Sequence, residues 1–216
     1  MVNYQVIFEK ENDRFLVKGP FAQNAVPMEI PADNQQRKHF IDLFLHKADI
    51  DRGIEFLQHI CCTNDVTLNE ALFIAALNNC MKCFKYSKSR TKLDKKEVFS
   101  DDKRLYDLFG RFETMRDKHY DHDEIGMLQA TAFLLVCRDG DNLFGGPPSV
   151  VWSRAKLDYD VAGQKLQEVM LFVQQYLCGQ IDIIGKTIES AYINFPRETL
   201  LEFQSARINA LSFDSR

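Results

Sequence analysis

The sequence predicts an all-α fold, a helical bundle of five to seven helices with a small N-terminal β-hairpin appendage. Three observations predict it. From residue 33 onward, apolar side chains recur at three- and four-residue spacing, the period of a helix with one buried face. Only 10 Gly and 6 Pro occur in 216 residues, which is little turn chemistry for a sheet-rich fold. With 45% hydrophobic and 27% charged residues, the chain has a globular balance and can bury a sizeable core. The expected organisation is an appendage over 1–32 and one single-core helical domain over 33–216.

The elements follow in order. Tyr4-Gln5-Val6-Ile7-Phe8 and Arg14-Phe15-Leu16-Val17-Lys18 are β-rich runs flanking Glu11-Asn12-Asp13, and together they read as a hairpin. Gly19-Pro20 ends it, and Pro27 and Pro31 punctuate an extended connection. A two-stranded hairpin is marginal alone, so it is expected to lie against the helical body or a partner chain. Phe40, Leu43, Phe44, Ala48, Ile54, Leu57 and Ile60 then mark amphipathic helix, with a break expected near 49–52. Thr67-Leu68-Asn69-Glu70 reads as a capping box. The helix it opens, 68–86, is apolar on most sides and is expected to be central and buried.

Residues 82–96 carry Lys82, Lys85, Lys88, Arg90, Lys92, Lys95 and Lys96. They suit a solvated loop complementing a helix C-terminal dipole, or a phosphate-binding strip. A further helix is expected over 101–119, with Leu105, Leu108, Phe109, Phe112 and Met115 as its stripe, and another over 125–137. Residues 138–149, ending near Gly145-Gly146-Pro147-Pro148, read as a loop, and 149–154 as a short strand able to pair with the N-terminal hairpin. Residues 161–194 read as one long helix or a broken pair, with Gly179 and Gly185 as weak points. Pro196 suits the first turn of a last helix, 197–211.

The net charge of −4 and a pI near 5.8 argue against a broad basic face for long nucleic acid, so no DNA partner is expected. The N-terminus lacks a basic segment followed by an apolar one, and no apolar run reaches the ~18 residues of a membrane span. The six cysteines, Cys61, Cys62, Cys80, Cys83, Cys137 and Cys178, fall in apolar patterns and read as reduced core thiols of a cytoplasmic protein.

One segment carries chemistry. Residues 111–124 run Arg-Phe-Glu-Thr-Met-Arg-Asp-Lys-His-Tyr-Asp-His-Asp-Glu. Arg116 followed by a polar residue, Asp117, with His122 six positions after the arginine, resembles the motif of the HEPN superfamily of helical-bundle proteins. Arg116-Asp117-Lys118-His119 also looks like the form found in bacterial HEPN-like proteins, where a buried helix with a Cys-Phe pair near its end precedes the motif, as Cys83-Phe84 does here. The resemblance is specific over about fifteen residues and loose over 68–136.

It implies metal-independent RNA cleavage of the kind used in toxin or defence systems, without a cofactor. His122 would be the acid/base, Arg116 the phosphate clamp and Asp117 the residue orienting Arg116, with Lys118, His119 and Tyr120 as substrate contacts. It further implies a homodimer, since a second chain completes the site in many members, and a cognate protein partner. The residue chemistry agrees: imidazole titrates near neutrality and a guanidinium fork matches phosphate. On one continuous helix Arg116 and His122 would stand roughly 120° apart, so convergence needs a helix break or a second chain. Asp121, with Asp123 and Glu124 after it, suits the cap of a new helix there, although with Asp117 these acids put four carboxylates around the phosphate.

Other readings stay open. Arg116 also suits pairing with Glu113 or Tyr120 across one turn, with His122 an ordinary cap-region residue. His119, Asp121, His122 and Asp123 are too few for a metal site without ligands from elsewhere, and none is expected. Cys80-Met81-Lys82-Cys83 lacks a second pair at zinc spacing and reads as core. The alternative function is a non-catalytic helical module that binds a protein or RNA partner.

Overall fold

Five helices and two antiparallel hairpins make up the residues that the computed structural model describes, namely 5–9, 14–18, 30–31, 34–60, 65–117, 128–139, 142–154, 157–193 and 195. In chain order these are β1 (Gln5–Glu9), β2 (Arg14–Lys18), α1 (Gln35–Ile60), α2 (Val66–Lys82), α3 (Lys95–Val98), α4 (Lys103–Met115), β3 (Leu128–Asp139), β4 (Asn142–Arg154) and α5 (Tyr159–Tyr192). Helix predominates, and no helix among the described residues is long and apolar enough to cross a membrane. The expected last helix over 197–211 lies outside the described residues.

The helices are longer and less interrupted than the sequence predicts. α1 runs unbroken for 26 residues, through the expected break at 49–52, where Lys47 and Asp51 pair across one turn at 2.6 Å. α5 runs for 34 residues through Gly179 and Gly185. A helical glycine costs only about 1 kcal/mol against alanine, and the buried row Leu166, Val169, Met170, Val173 and Leu177 holds the helix to the core. α2 begins one residue earlier than the proposed capping box. Asp65, not Thr67, is the cap: its carboxylate accepts from the Thr67 and Leu68 amides at 2.9 and 3.1 Å.

The larger correction concerns 128–139 and 142–149. There the expected helix and loop are replaced by two strands, β3 pairing antiparallel with β4 from Leu128↔Arg154 to Asp139↔Asn142. Short apolar runs do not separate helix from strand by period alone, and 128–139 has a β-rich complement in Ser149-Val150-Val151-Trp152. Gly145, Gly146, Pro147 and Pro148 fall inside β4, at a register shift between Leu134 and Val136. A bulge in a two-stranded ribbon is where proline, lacking an amide donor, does least harm to the ladder. The run 149–154 therefore pairs with β3, while β1 pairs with β2.

The chain divides into two compact units. One comprises 1–41 and 182–216, the other 42–181, and α1 and α5 contribute to both. In the first, Asn34 caps α1 through its side-chain oxygen on the Gln36 amide (2.9 Å) and donates to the Tyr192 hydroxyl (2.9 Å).

The second unit holds the main core. Leu43, Ile50, Ile54 and Leu57 of α1 are buried with Phe73, Ala76, Leu77 and Met81 of α2, and with the inner faces of α4 and α5. The three longest helices meet at Gly53, where a Cβ would fall 2.2 Å from the Met170 terminal methyl and 3.2 Å from the Ala76 carbonyl oxygen. An aromatic cluster closes the α3–α4 end: Phe109 lies 4.5 Å from Phe84 and 5.3 Å from Phe99 between ring centroids, and Phe99 stacks on Phe172 at 5.7 Å.

Candidate functional site

The segment 83–94, which leads from α2 to α3, is held by a row of polar side chains on one face of α1. Asp42, His46 and Asp49 are spaced four and three residues apart and so project along one stripe. Asp42, 3% exposed, accepts from the Thr91 amide at 3.0 Å. His46, 2% exposed, lies 2.7 Å from the Thr91 carbonyl through Nε2, which must therefore donate. That leaves His46 Nδ1 buried without a hydrogen-bond partner. Burial pushes the His46 imidazole below its ordinary 6.5, partly offset by the Thr91 bond, so it is held neutral.

Asp49 takes Arg90 at 2.6 Å and Lys82 at 3.0 Å. Burial alone would raise its carboxyl, but the two cations outweigh that and hold it below 3.8. Both ends of the segment are thus tied to α1, and the Leu93 amide closes onto the Cys83 carbonyl at 2.9 Å.

This anchoring sets Lys85 against the end of α4. There α4 passes at Met115 into a wider π-turn at 116–117, the kind of helix irregularity found often at functional sites. The Lys85 ammonium donates to both oxygens of Asp117, at 3.0 and 3.2 Å. Arg116 Nη1 reaches Asp117 Oδ1 at 3.0 Å, and Arg116 Nε reaches the side-chain oxygen of Asn78, on α2, at 3.4 Å. Lys85, foremost, holds the Asp117 carboxyl below its ordinary 3.8. The Asp117 and Lys85 side chains are each 41% exposed and that of Arg116 23%, so the group is partly solvated.

Of the residues singled out from sequence, the structure brings Arg116 and Asp117 together and adds Lys85 and Asn78. Lys118, His119, Tyr120 and His122 lie outside the described residues, as do Asp121 and Asp123. Asn78 has no distinguishing signal in the sequence, since it is one polar position on an apolar helix. Lys85 was visible only as one of seven cations in 82–96. That run resolves into structural pairs: Lys82 and Arg90 on Asp49, Lys85 on Asp117, and Lys95 on Glu113 at 3.3 Å with its ammonium 4.4 Å from the Tyr106 ring centroid. Four of the seven cations thus cross-link a folded segment, and Lys88, Lys92 and Lys96 are exposed.

Cys80 and Cys83 are buried, with burial pushing both thiols up, Cys83 to about 12, so neither is poised as a thiolate. Cys178, read as a core thiol, is exposed on α5. No trio of His, Cys, Asp or Glu among the described residues is arranged to hold a metal ion. No family model, curated protein or solved structure matches the chain.

Proposed function

We propose that the chain is a HEPN-like, metal-independent endoribonuclease of toxin or defence type. In this reading a ribose 2′-oxygen attacks the adjacent phosphorus and the bond to the 5′-oxygen breaks, leaving a 2′,3′-cyclic phosphate and a 5′-hydroxyl. His122 accepts the 2′-hydroxyl proton, and the leaving 5′-oxygen takes one up. Arg116 clamps the phosphate, while Lys118, His119 and Tyr120 contact the RNA. A second copy of the chain completes the site.

The supporting observation is the charge balance around Asp117. Lys85 chelates both oxygens of that carboxylate, so the acid beside Arg116 is already neutralised. Arg116 thereby gains an orienting partner, and Arg116 and Lys85 set two cations against the one carboxylate of Asp117, which suits an anionic substrate.

The test is cleavage of total and transfer RNA in EDTA by the protein beside its His122→Ala and Arg116→Ala forms. The expected result is cleavage leaving cyclic phosphate ends, reduced about 10²-fold or more in each variant. Equal cleavage by all three, or none by any, overturns the reading. RNA bound but uncut by the parent protein would leave a non-catalytic RNA-binding module.

A further inference from the structure

A groove of about 320 Å³ runs between α4 and α5, lined by Arg104, Asp107, Leu108, Arg111, Lys165 and Glu168. The α4 residues stand at spacings of three, four and seven, and the α5 residues at three, so each helix turns one stripe to the groove. Arg104 and Glu168 satisfy each other fork to fork, with the second contact at 3.2 Å. Removing that pair from the balance leaves Arg111, Lys165 and Asp107, none of which has a partner among the described residues. The remaining charge is two cations and one carboxylate, with Leu108 the one apolar side chain among the described lining residues.

We propose that this groove binds a small sugar phosphate, with Arg111 and Lys165 on the phosphate and Asp107 accepting from sugar hydroxyls. The volume sits at the small end of ligand sites. A guanidinium and an ammonium on facing helices match a compact dianion. The chemistry of the walls selects the rest of the ligand. A nucleobase favours an aromatic side chain to stack on, and none is among the described lining residues, whereas hydroxyls need acceptors, and Asp107 offers one. Among the described residues, neither Arg111 nor Lys165 has a partner to give up on binding.

The test is calorimetric titration of the full chain with ribose 5-phosphate, inorganic phosphate and ribose. Ribose 5-phosphate is expected to bind more tightly than inorganic phosphate, and ribose not at all. Arg111→Ala and Lys165→Ala should each weaken ribose 5-phosphate about tenfold or more. Asp107→Asn should reduce its affinity towards that of inorganic phosphate. Binding should weaken between pH 7.5 and 5.5, because the second phosphate ionisation lies near 6. No binding of either phosphate, equal affinity for both, or affinity unchanged in the Arg111→Ala/Lys165→Ala double variant would each overturn the assignment. All three substituted side chains are exposed, so the variants should fold, and the readout is independent of RNA cleavage.

Discussion

Asp49 and Asp117 each hold two cations, and the two clusters differ chiefly in burial. Around Asp49 the carboxylate is 15% exposed and Arg90 13%, and the partners tie the segment 83–94 to α1. Around Asp117 the carboxylate and Lys85 are both 41% exposed, and the pair joins the 83–94 segment to the end of α4. The same composition therefore does two jobs. In the interior, the Asp49–Arg90 pair is a fastener, because losing either of these two partners strands a charge away from water, whereas Lys82, 55% exposed, adds a solvated contact. At the rim, water can replace any partner, so the cluster contributes little to stability and is free to exchange one partner for a ligand. The first cluster also serves the second, since Lys85 belongs to the segment that Asp49 secures.

The largest expected effect tests the interior half of this contrast. Asp49→Ala leaves the buried Arg90 without its acceptor and should destabilise the protein by about 3 kcal/mol, read as a lower urea midpoint. A loss below about 1 kcal/mol would place Asp49 with the rim cluster. Gly53→Ala, one turn further along α1, should cost about 1–3 kcal/mol, because the new methyl meets Met170 and the Ala76 carbonyl where three helices converge. A stabilised variant would show that this junction yields, and that helix propensity outweighs packing there.

His46 offers a pH test of the same row. Its imidazole titrates below 6.5 in the folded protein, so from pH 6.5 downward the unfolded chain binds a proton that the folded chain does not. Stability should therefore fall as pH drops from 6.5 towards the folded value. The charged groups facing the ring are Asp42, Asp49 and Arg90. His46→Gln keeps a donor towards Thr91 and should flatten the urea midpoint between pH 6.5 and 5; an unchanged slope would assign it to other groups. Asp49 and Asp117, both held below 3.8, contribute stability that is present above 3.8 and lost as pH falls through their folded values, a separate window.

The smallest effect belongs to the rim. Asp117→Asn should change stability by less than about 1 kcal/mol, while lowering the proposed RNA cleavage by removing the group that would orient Arg116. A large stability loss with unaltered cleavage would make Asp117 a fastener like Asp49.

Much of the helical body was legible because burying one face imposes a period. Leu105, Phe109 and Phe112, read as a stripe from spacing alone, are buried along α4. The caps and interruptions were less legible. Thr67 and Glu70 satisfy a capping pattern, yet Asp65 caps α2, because several polar residues before an apolar run compete for one set of free amides. The 125–137 segment was misread since apolar content without a clean period does not say whether a chain will find its partner in itself or in a neighbouring strand. Within the candidate site, Arg116 and Asp117 were visible through local order, whereas Lys85 and Asn78 lie 32 and 38 residues away from their partners.

The sequence by itself determined the predominance of helix, the apolar faces and the Arg116–Asp117 juxtaposition, because each depends on neighbours within a turn or two. Only the tertiary structure decided that α1 and α5 run unbroken, that 128–154 folds as a hairpin, and which of many similar charges meet. Those outcomes depend on burial and pairing between segments far apart in the chain. One lysine differs from another only in what the fold brings within reach of it.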